Sequence, residues 1–548
     1  MALLLIALLL VIIPILTYYA SRALFYQNAN NKALGKRPPT IPYLVPGIFH
    51  TFSLAYEGPQ KCFATLINKF GQHAPFTVKS GLLSFVVLQD PKHIETVAQA
   101  SKQQSPHALY IRMYAEALGY PKAALDLYAI EGVGGKEKEA FQYAHTTLSQ
   151  KYLTGASLAS ISDVYVSMLS RSLNDKMFQI GSWTQIEDFW SFFQQVITRC
   201  TMETLFGSAI SKQYRGLIKD YWMFDDAIES FMPGMPRLFT SASYQGPRDR
   251  LHEGIEKWLK TNHSGSEFAK IADEDPIWDE HKGLKFIQER DDVFAKIEGK
   301  DWKTRTAEVL SVMRCSNSTL VPSTFWMIVE TLRKPHLAKY LTTEISQYHS
   351  PKAATYDVNS FVNKPIFQSI HTEIGRLRMA TYMIRNNTVD DIPLDEHWTL
   401  PKGTSAIAFS QDIATNTELW AKARPRTVER PLEEFWAERF LIPDKQLSKP
   451  QREKHNNFKV EAGKFSIDGL EALDLAIGDQ QYSGLGREYI KAIQASTLAV
   501  LLSEFELQLC DPEATDAAMP TLGETAFGTV RSLDKIAVRI RKRRPDEE

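Results

Sequence analysis

Hydrophobic and polar positions divide this chain into three textures. Residues 2–16 are apolar almost without interruption, and Tyr18, Tyr19, Ala20 and Leu24 extend the run. From about residue 91 to 349, apolar positions recur three and four apart, the spacing of amphipathic helices. Residues 189–206 are the clearest case. Residues 302–332 predict another long helix, interrupted by Pro322, with Lys334-Pro335 just past its end, where proline commonly follows a helix. After Tyr382 the pattern shortens to strands and turns. Residues 398–409 read as a strand, a Pro-Lys-Gly turn and a strand, and residues 528–541 alternate as an edge hairpin does. An earlier hairpin is predicted at 75–88, where two β-branched and aromatic runs flank Gly81. Residues 504–509 read as a strand, 488–505 as a helix and 261–285 as the longest loop. Helices first and small sheets later predict one large, mainly α domain with minor β-sheets.

The first texture predicts an N-terminal transmembrane helix, since a span needs roughly 20 apolar residues. A cleaved signal peptide is the alternative, because Ala20-Ser21-Arg22-Ala23 loosely resembles a cleavage site. No Lys or Arg precedes the run, whereas Arg22, Lys32, Lys36 and Arg37 follow it. That bias favours a single-pass anchor in the endoplasmic reticulum membrane with the body facing the cytosol. Pro38, Pro39, Pro42 and Pro46 then preclude a helix and favour a stiff, extended segment. The expected organisation is an anchor over 1–25, a proline-rich hinge over 26–48 and a single domain over 49–548.

Composition narrows the function classes. The 548 residues carry a formal net charge of -1 with 23% charged residues and no basic half, which sets nucleic acid aside as a partner. The basic run 539–544 is offset by Asp546, Glu547 and Glu548. Cys62, Cys200, Cys315 and Cys510 are scattered, with no CxxC, so neither a disulfide framework nor a structural zinc site is indicated. Asn-x-Ser/Thr sequons at Asn262, Asn317 and Asn386 are expected to stay unglycosylated on a cytosolic body.

Candidate chemistry begins at Glu373-Ile-Gly-Arg376, a carboxylate and a guanidinium one helical turn apart. Alone, such a pair is an ordinary surface ion pair. Glu434-Phe-Trp-Ala-Glu-Arg439 follows it, and then a loop over 477–487 that leads into a helix. This ordered set resembles the cytochrome P-450 superfamily over nearly the whole chain. Val321-Pro-Ser-Thr-Phe-Trp326 is similar to the branch with sterol 7-hydroxylases, prostacyclin synthase and many fungal secondary-metabolism enzymes. The resemblance implies a P-450-like fold in which Glu373 and Arg376 form a buried pair, with Arg439 as its third member.

The departures from that family carry more chemistry. Laid on the haem loop, Ile477 takes the Phe slot, Tyr482 the basic slot and Gly484 the slot of the iron-ligating cysteine, while Gly478 and Gly486 keep two glycines. No cysteine lies between Cys315 and Cys510 to rescue the register. In this family the thiolate pushes electron density onto the iron and favours O–O cleavage. Glycine coordinates nothing, and no histidine follows His455. Tyr482 has a haem-ligand chemistry in catalase, and its ordinary role is to fill space. The family's proton-managing pair falls at Thr319-Leu320, where leucine relays nothing. Ala414 stands in the slot of a propionate-binding histidine, and Ala437 in that of a proline.

Three functions are compatible with such a chain. In the first, it is a degenerate P-450-fold enzyme of terpenoid or polyketide biosynthesis that needs no cofactor. It then guides a cyclisation or isomerisation such as a Diels–Alder-type step by holding an apolar small molecule in one reactive conformer. Ser316, Asn317 and Thr319 of the central helix are its candidate catalytic residues, through hydrogen bonds to a substrate carbonyl. Small polar residues bonding back to their own helix are the alternative at each position. In the second, the chain is a monooxygenase holding haem without thiolate ligation, with a P-450 reductase as partner. In the third, it is a non-catalytic, membrane-anchored partner of active P-450 enzymes.

Overall fold

The computed structural model describes the chain apart from residues 1, 72–73, 82, 101–110, 112, 129–138, 141–142, 175–177, 230–241, 265–274, 297–301, 351–354, 389, 428–429, 444–462, 479–484 and 545–548. Along the chain, helix α1 (Ala2–Asn30) precedes strands β1 (Phe76–Ser80) and β2 (Leu83–Val87), then α2 (Gly155–Leu173), β3 (Thr184–Ile186), α3 (Phe189–Phe206) and α4 (Leu217–Glu229). The second half supplies α5 (Trp302–Asn317), α6 (Leu320–Leu332), α7 (Pro365–Arg378), β4 (Tyr382–Asn386) and β5 (Ser405–Phe409). It closes with α8 (Glu471–Gly478), α9 (Gly486–Ser503), β6 (Phe505–Leu509) and β7 (Val538–Lys542). Helices dominate and the sheets are small.

Local chemistry explains the boundaries. The Asp188 side chain accepts from Ser191 N and caps α3, and Gly207, at φ 79°, ends it in a conformation that suits glycine. The long central helix breaks at Ser318–Thr319, not at Pro322. A proline ring clashes with the carbonyl four residues back, here that of Ser318. The break therefore precedes the proline, which sits in the first turn of α6, where its missing N–H costs nothing.

The expected 75–88 hairpin forms, with Phe76 opposite Val87 and Ser80 opposite Leu83. The expected 398–409 hairpin does not. Thr399–Leu400 pairs with Ile392–Pro393, while β5 lies parallel to β2 and antiparallel to β4, giving a four-stranded sheet in the order β1-β2-β5-β4. Nor is 528–541 an edge hairpin. Gly528–Thr529 pairs with Met379–Ala380, and β7 is the middle strand of β6-β7-β3. Alternation along one segment marks a strand but not its partner.

A single large apolar cluster spans α2, α3, α4, α5, α6, α7 and α9. Around it, α9 packs on α2 and α6, and α6 packs on α3 and α7. Most of the predicted N-terminal span, residues 2–10 of α1, lies outside the described side chains. Its side chains are described from Val11 onward, and among the described residues no helix is long and apolar enough to cross a membrane. Its second half lies against the body: Ser21 and Phe25 are buried, with the Phe25 ring 5.1 Å from that of Phe70. Val11, Ile12, Ile13, Ile15 and Leu16 are exposed.

Candidate functional site

Helix α7 organises the site through two faces. On one face Glu373 accepts from Arg376 (Nε to Oε2 2.7 Å, a second nitrogen to Oε1 2.8 Å) and from Arg439 Nε at 2.9 Å. The side chains of all three are fully buried. Trp436 N donates to the same carboxylate at 3.1 Å, and Arg376 also reaches the carbonyls of Ala414 and Leu432. Arg439 reaches the carbonyls of Thr427, Pro431 and Glu434. Burial pushes the Glu373 carboxyl up, but the two guanidinium groups outweigh it and hold it below its usual value. This face ties α7 to Thr427 and to the segment 431–439.

The other face lines a cavity of about 140 Å³. Gln368, His371, Thr372 and Gly375 come from α7, Arg487, Ile490, Lys491 and Gln494 from α9, and Thr319 and Ser323 from the head of α6. Both the α7 and α9 sets have i, i+3, i+4, i+7 spacing, one stripe of a helix each. Gly375 is needed for the close approach of α8, since a Cβ there would lie 2.9 Å from Ile477 Cγ2. Arg487 donates to Asp474 Oδ1 at 2.8 Å and closes one end.

A polar relay runs across this cavity. The Ser323 hydroxyl donates to the Leu320 carbonyl at 3.0 Å and accepts from Gln494 Nε2 at 2.8 Å. The Gln494 oxygen therefore faces His371, whose Nδ1 lies 2.6 Å from it and must donate. In the neutral ring, Nε2 is left as the acceptor. Burial lowers the His371 pKa to about 4, aided by the charges of Lys491 and Arg487, so the imidazole is neutral at pH 7.

Of the three candidate catalytic residues, only Thr319 lines the cavity. Ser316 and Asn317 are sealed in the core. Asn317 Oδ1 accepts from the Thr201 hydroxyl of α3, and its Nδ2 donates to Met313 O at 2.9 Å and to Ser316 Oγ at 2.8 Å. Ser316 bonds back to Met313 O. Tyr482 and Gly484 lie outside the described residues. Gly486 has φ 77°, a turn that favours glycine. His371, Ser323 and Gln494 are not apparent from the sequence, because they come from three separate helices far apart along the chain. The detectable signal was a His and a Gln inside apolar helical runs.

A haem-thiolate does not fit the residues present. No described wall of the cavity carries a cysteine. Burial pushes the thiols of Cys62 and Cys200 up to about 12. Cys315, one turn before Thr319, is also raised by burial and stays a thiol at neutral pH. His371 is the one imidazole on the described walls, and its Nδ1–H is already held by an amide oxygen.

Comparison with known proteins places the chain among relatives. The family described as Cytochrome P450 matches residues 38–447, a stretch that stops short of the 477–487 loop. The chain is 26% identical over 541 residues to the cytochrome P450 monooxygenase efuG of Hormonema carpetanum, covering 96% of this chain and 93% of that protein. It is 26% identical over 544 residues to the cytochrome P450 monooxygenase fsoE of Humicola fuscoatra, covering 96% and 91%. Cytochrome P450 7A1 of Rattus norvegicus is 25% identical over 260 residues, covering 44% and 48%.

Proposed function

The chain belongs to the cytochrome P450 family, and we propose that it is an enzyme of fungal secondary metabolism that guides a non-oxidative cyclisation or isomerisation of a terpenoid or polyketide. One observation carries this: Gly484 stands where the family's loop presents its cysteine, and no cysteine follows Cys315 until Cys510. Without a thiolate, the electron push that favours O–O cleavage is missing. Thr319 and Ser323, small hydroxyls at the head of α6, and the neutral His371 give the cavity hydrogen-bonding groups. Such groups orient a polar end of an apolar substrate. Holding a flexible chain in one reactive conformer supplies several kcal/mol of a pericyclic barrier. A Diels–Alder-type step is the sharpest form of the proposal.

The second reading is a haem-dependent monooxygenase with a non-cysteine axial ligand. It is favoured by the names of the two long relatives, both monooxygenases. A reductase partner belongs to that reading only. In either case, we place the body at the endoplasmic reticulum membrane, facing the cytosol. The support is the exposed Val11, Ile12, Ile13, Ile15 and Leu16 side chains of α1 and the basic Arg22, Lys32, Lys36 and Arg37 that follow them.

The test is turnover of a panel of terpenoid and polyketide polyenes by the full chain in membranes, without reductant and under nitrogen. Cyclised or isomerised product under those conditions supports the first reading. Product that appears only with dioxygen, NADPH and a reductase establishes the second and ends the first.

A further inference from the structure

The hydrogen bonds behind His371 run in one direction. Ser323 has a single hydroxyl proton and gives it to the Leu320 carbonyl, so toward Gln494 its oxygen can only accept. The Gln494 amide therefore turns its nitrogen to Ser323 and its oxygen to His371, which puts the imidazole proton on Nδ1. Nε2 is left as an acceptor that can neither rotate nor flip. It has no partner among the described residues and is not one of their sealed polar atoms. Its lone pair is open to the cavity that His371 lines.

The other polar groups on the described walls are spent or adaptable. Thr372 donates to Gln368 O at 2.9 Å and Thr381 to Ala476 O at 2.7 Å. The Asp474 carboxylate is held by Arg487 through both of its oxygens. Thr319 caps no backbone N–H of α6 with its side chain, and the Gln368 amide stands one turn from His371. A hydroxyl rotates and an amide flips to suit a ligand of either polarity, so neither group selects strongly. His371 Nε2 is the unspent acceptor of fixed polarity, and apolar side chains such as Ile467, Ile477 and Ile490 share its cavity.

We propose that His371 Nε2 selects a substrate bearing a free hydroxyl on an otherwise apolar skeleton, and that it accepts a hydrogen bond from that hydroxyl. A ketone, an ether or a carboxylate brings only lone pairs to Nε2. Two acceptors facing each other in a water-poor cavity each lose a hydrogen bond, and a site built to bond a substrate hydroxyl rejects the analogue that lacks it. Ser323 and Gln494 act as positioning residues, because they set which ring nitrogen carries the proton. The inference rests on the proposed function in taking this cavity as the substrate site, and it narrows the substrate to hydroxylated terpenoids or polyketides.

The test is binding, read without turnover. Cyclohexanol and cyclohexanone, alike in size, are titrated into the full chain carrying nitrogen-15 in its histidine rings, and the His371 resonances are followed by NMR. The wild type should bind the alcohol about 10-fold more tightly than the ketone, and the alcohol alone should move the unprotonated Nε2 signal upfield. His371→Phe/Gln494→Leu replaces both partners of the buried bond with apolar groups, a change that costs little folding stability, and should bind the two probes equally. Gln494→Glu keeps the ring but places a carboxylate against Nδ1, which favours the charged imidazole. Nε2 then donates, and the preference for the alcohol should vanish, an effect that a purely structural His371 would not show. Equal or undetectable binding of the two probes by the wild type, an unmoved Nε2 signal, or an undiminished preference in either variant overturns the inference. Oxygen-independent cyclisation would survive any of those results, and the alcohol preference would survive a requirement for dioxygen, so the two proposals fail separately.

Discussion

The two faces of α7 differ in how completely their polar groups are satisfied. Toward 427–439, Glu373, Arg376 and Arg439 are fully buried and their donors are spent on carboxylate and carbonyl oxygens. Toward the cavity, the same helix presents an amide, an imidazole, a hydroxyl and a glycine, with space left over. The first face needs every partner to offset the cost of burying charge. The second is free to change, because a neutral polar group at a cavity wall costs little. A family's architecture can therefore persist on one side of a helix after the chemistry on the other side has been rewritten.

The contrast can be broken most forcefully at Glu373. Glu373→Ala leaves two buried guanidinium groups without their carboxylate, a loss of about 3–5 kcal/mol. Chemical denaturation should show it, or the variant should fail to accumulate as folded protein. A loss below about 1 kcal/mol would mean that the locked face is not locked.

Next comes the pair Asn317 and Thr319. Asn317→Ala removes core bonds to Ser316 and to the Thr201 hydroxyl, which keeps the Thr198 carbonyl as its acceptor, and should destabilise by about 1–3 kcal/mol. Thr319→Ala, at the cavity wall, should leave the unfolding midpoint almost unchanged and act on turnover alone. Reversal of that order would move Asn317 into the site.

A pH titration sharpens the cavity side. The folded His371 pKa is about 4, below the ordinary 6.5. Between those values the unfolded chain takes up a proton that the folded chain declines, so stability from this group is intact above pH 6.5 and falls as pH drops toward 4. His371→Gln should flatten the melting temperature over that window. The lowered Glu373 carboxyl acts further down, and its stabilisation wanes only below about pH 4.3. The smallest effect is expected at Gly375→Ala, where a methyl 2.9 Å from Ile477 Cγ2 displaces that side chain for about 1 kcal/mol; a urea midpoint shift should reveal it.

Much of the fold was legible. The helix over 189–206 and the hairpin at 75–88 followed from local spacing alone. The partners of 398–409 were not legible, because β5 pairs with β2, more than 300 residues earlier, and local alternation carries no such information. The site was legible only as a departure. Gly484 was visible because the surrounding loop resembles a known pattern. The relay from Ser323 through Gln494 to His371 was invisible, since its members sit on three helices, with His371 and Gln494 123 residues apart.

The most direct test of the account is an absorption spectrum of the full chain, purified from a host supplied with haem precursor and recorded with dithionite and carbon monoxide. The account predicts no thiolate-type carbon monoxide band, whether or not any Soret absorption is present. A full thiolate signature would contradict it, because no side chain at Gly484 could then be its source and the whole assignment of the loop would have to be redrawn.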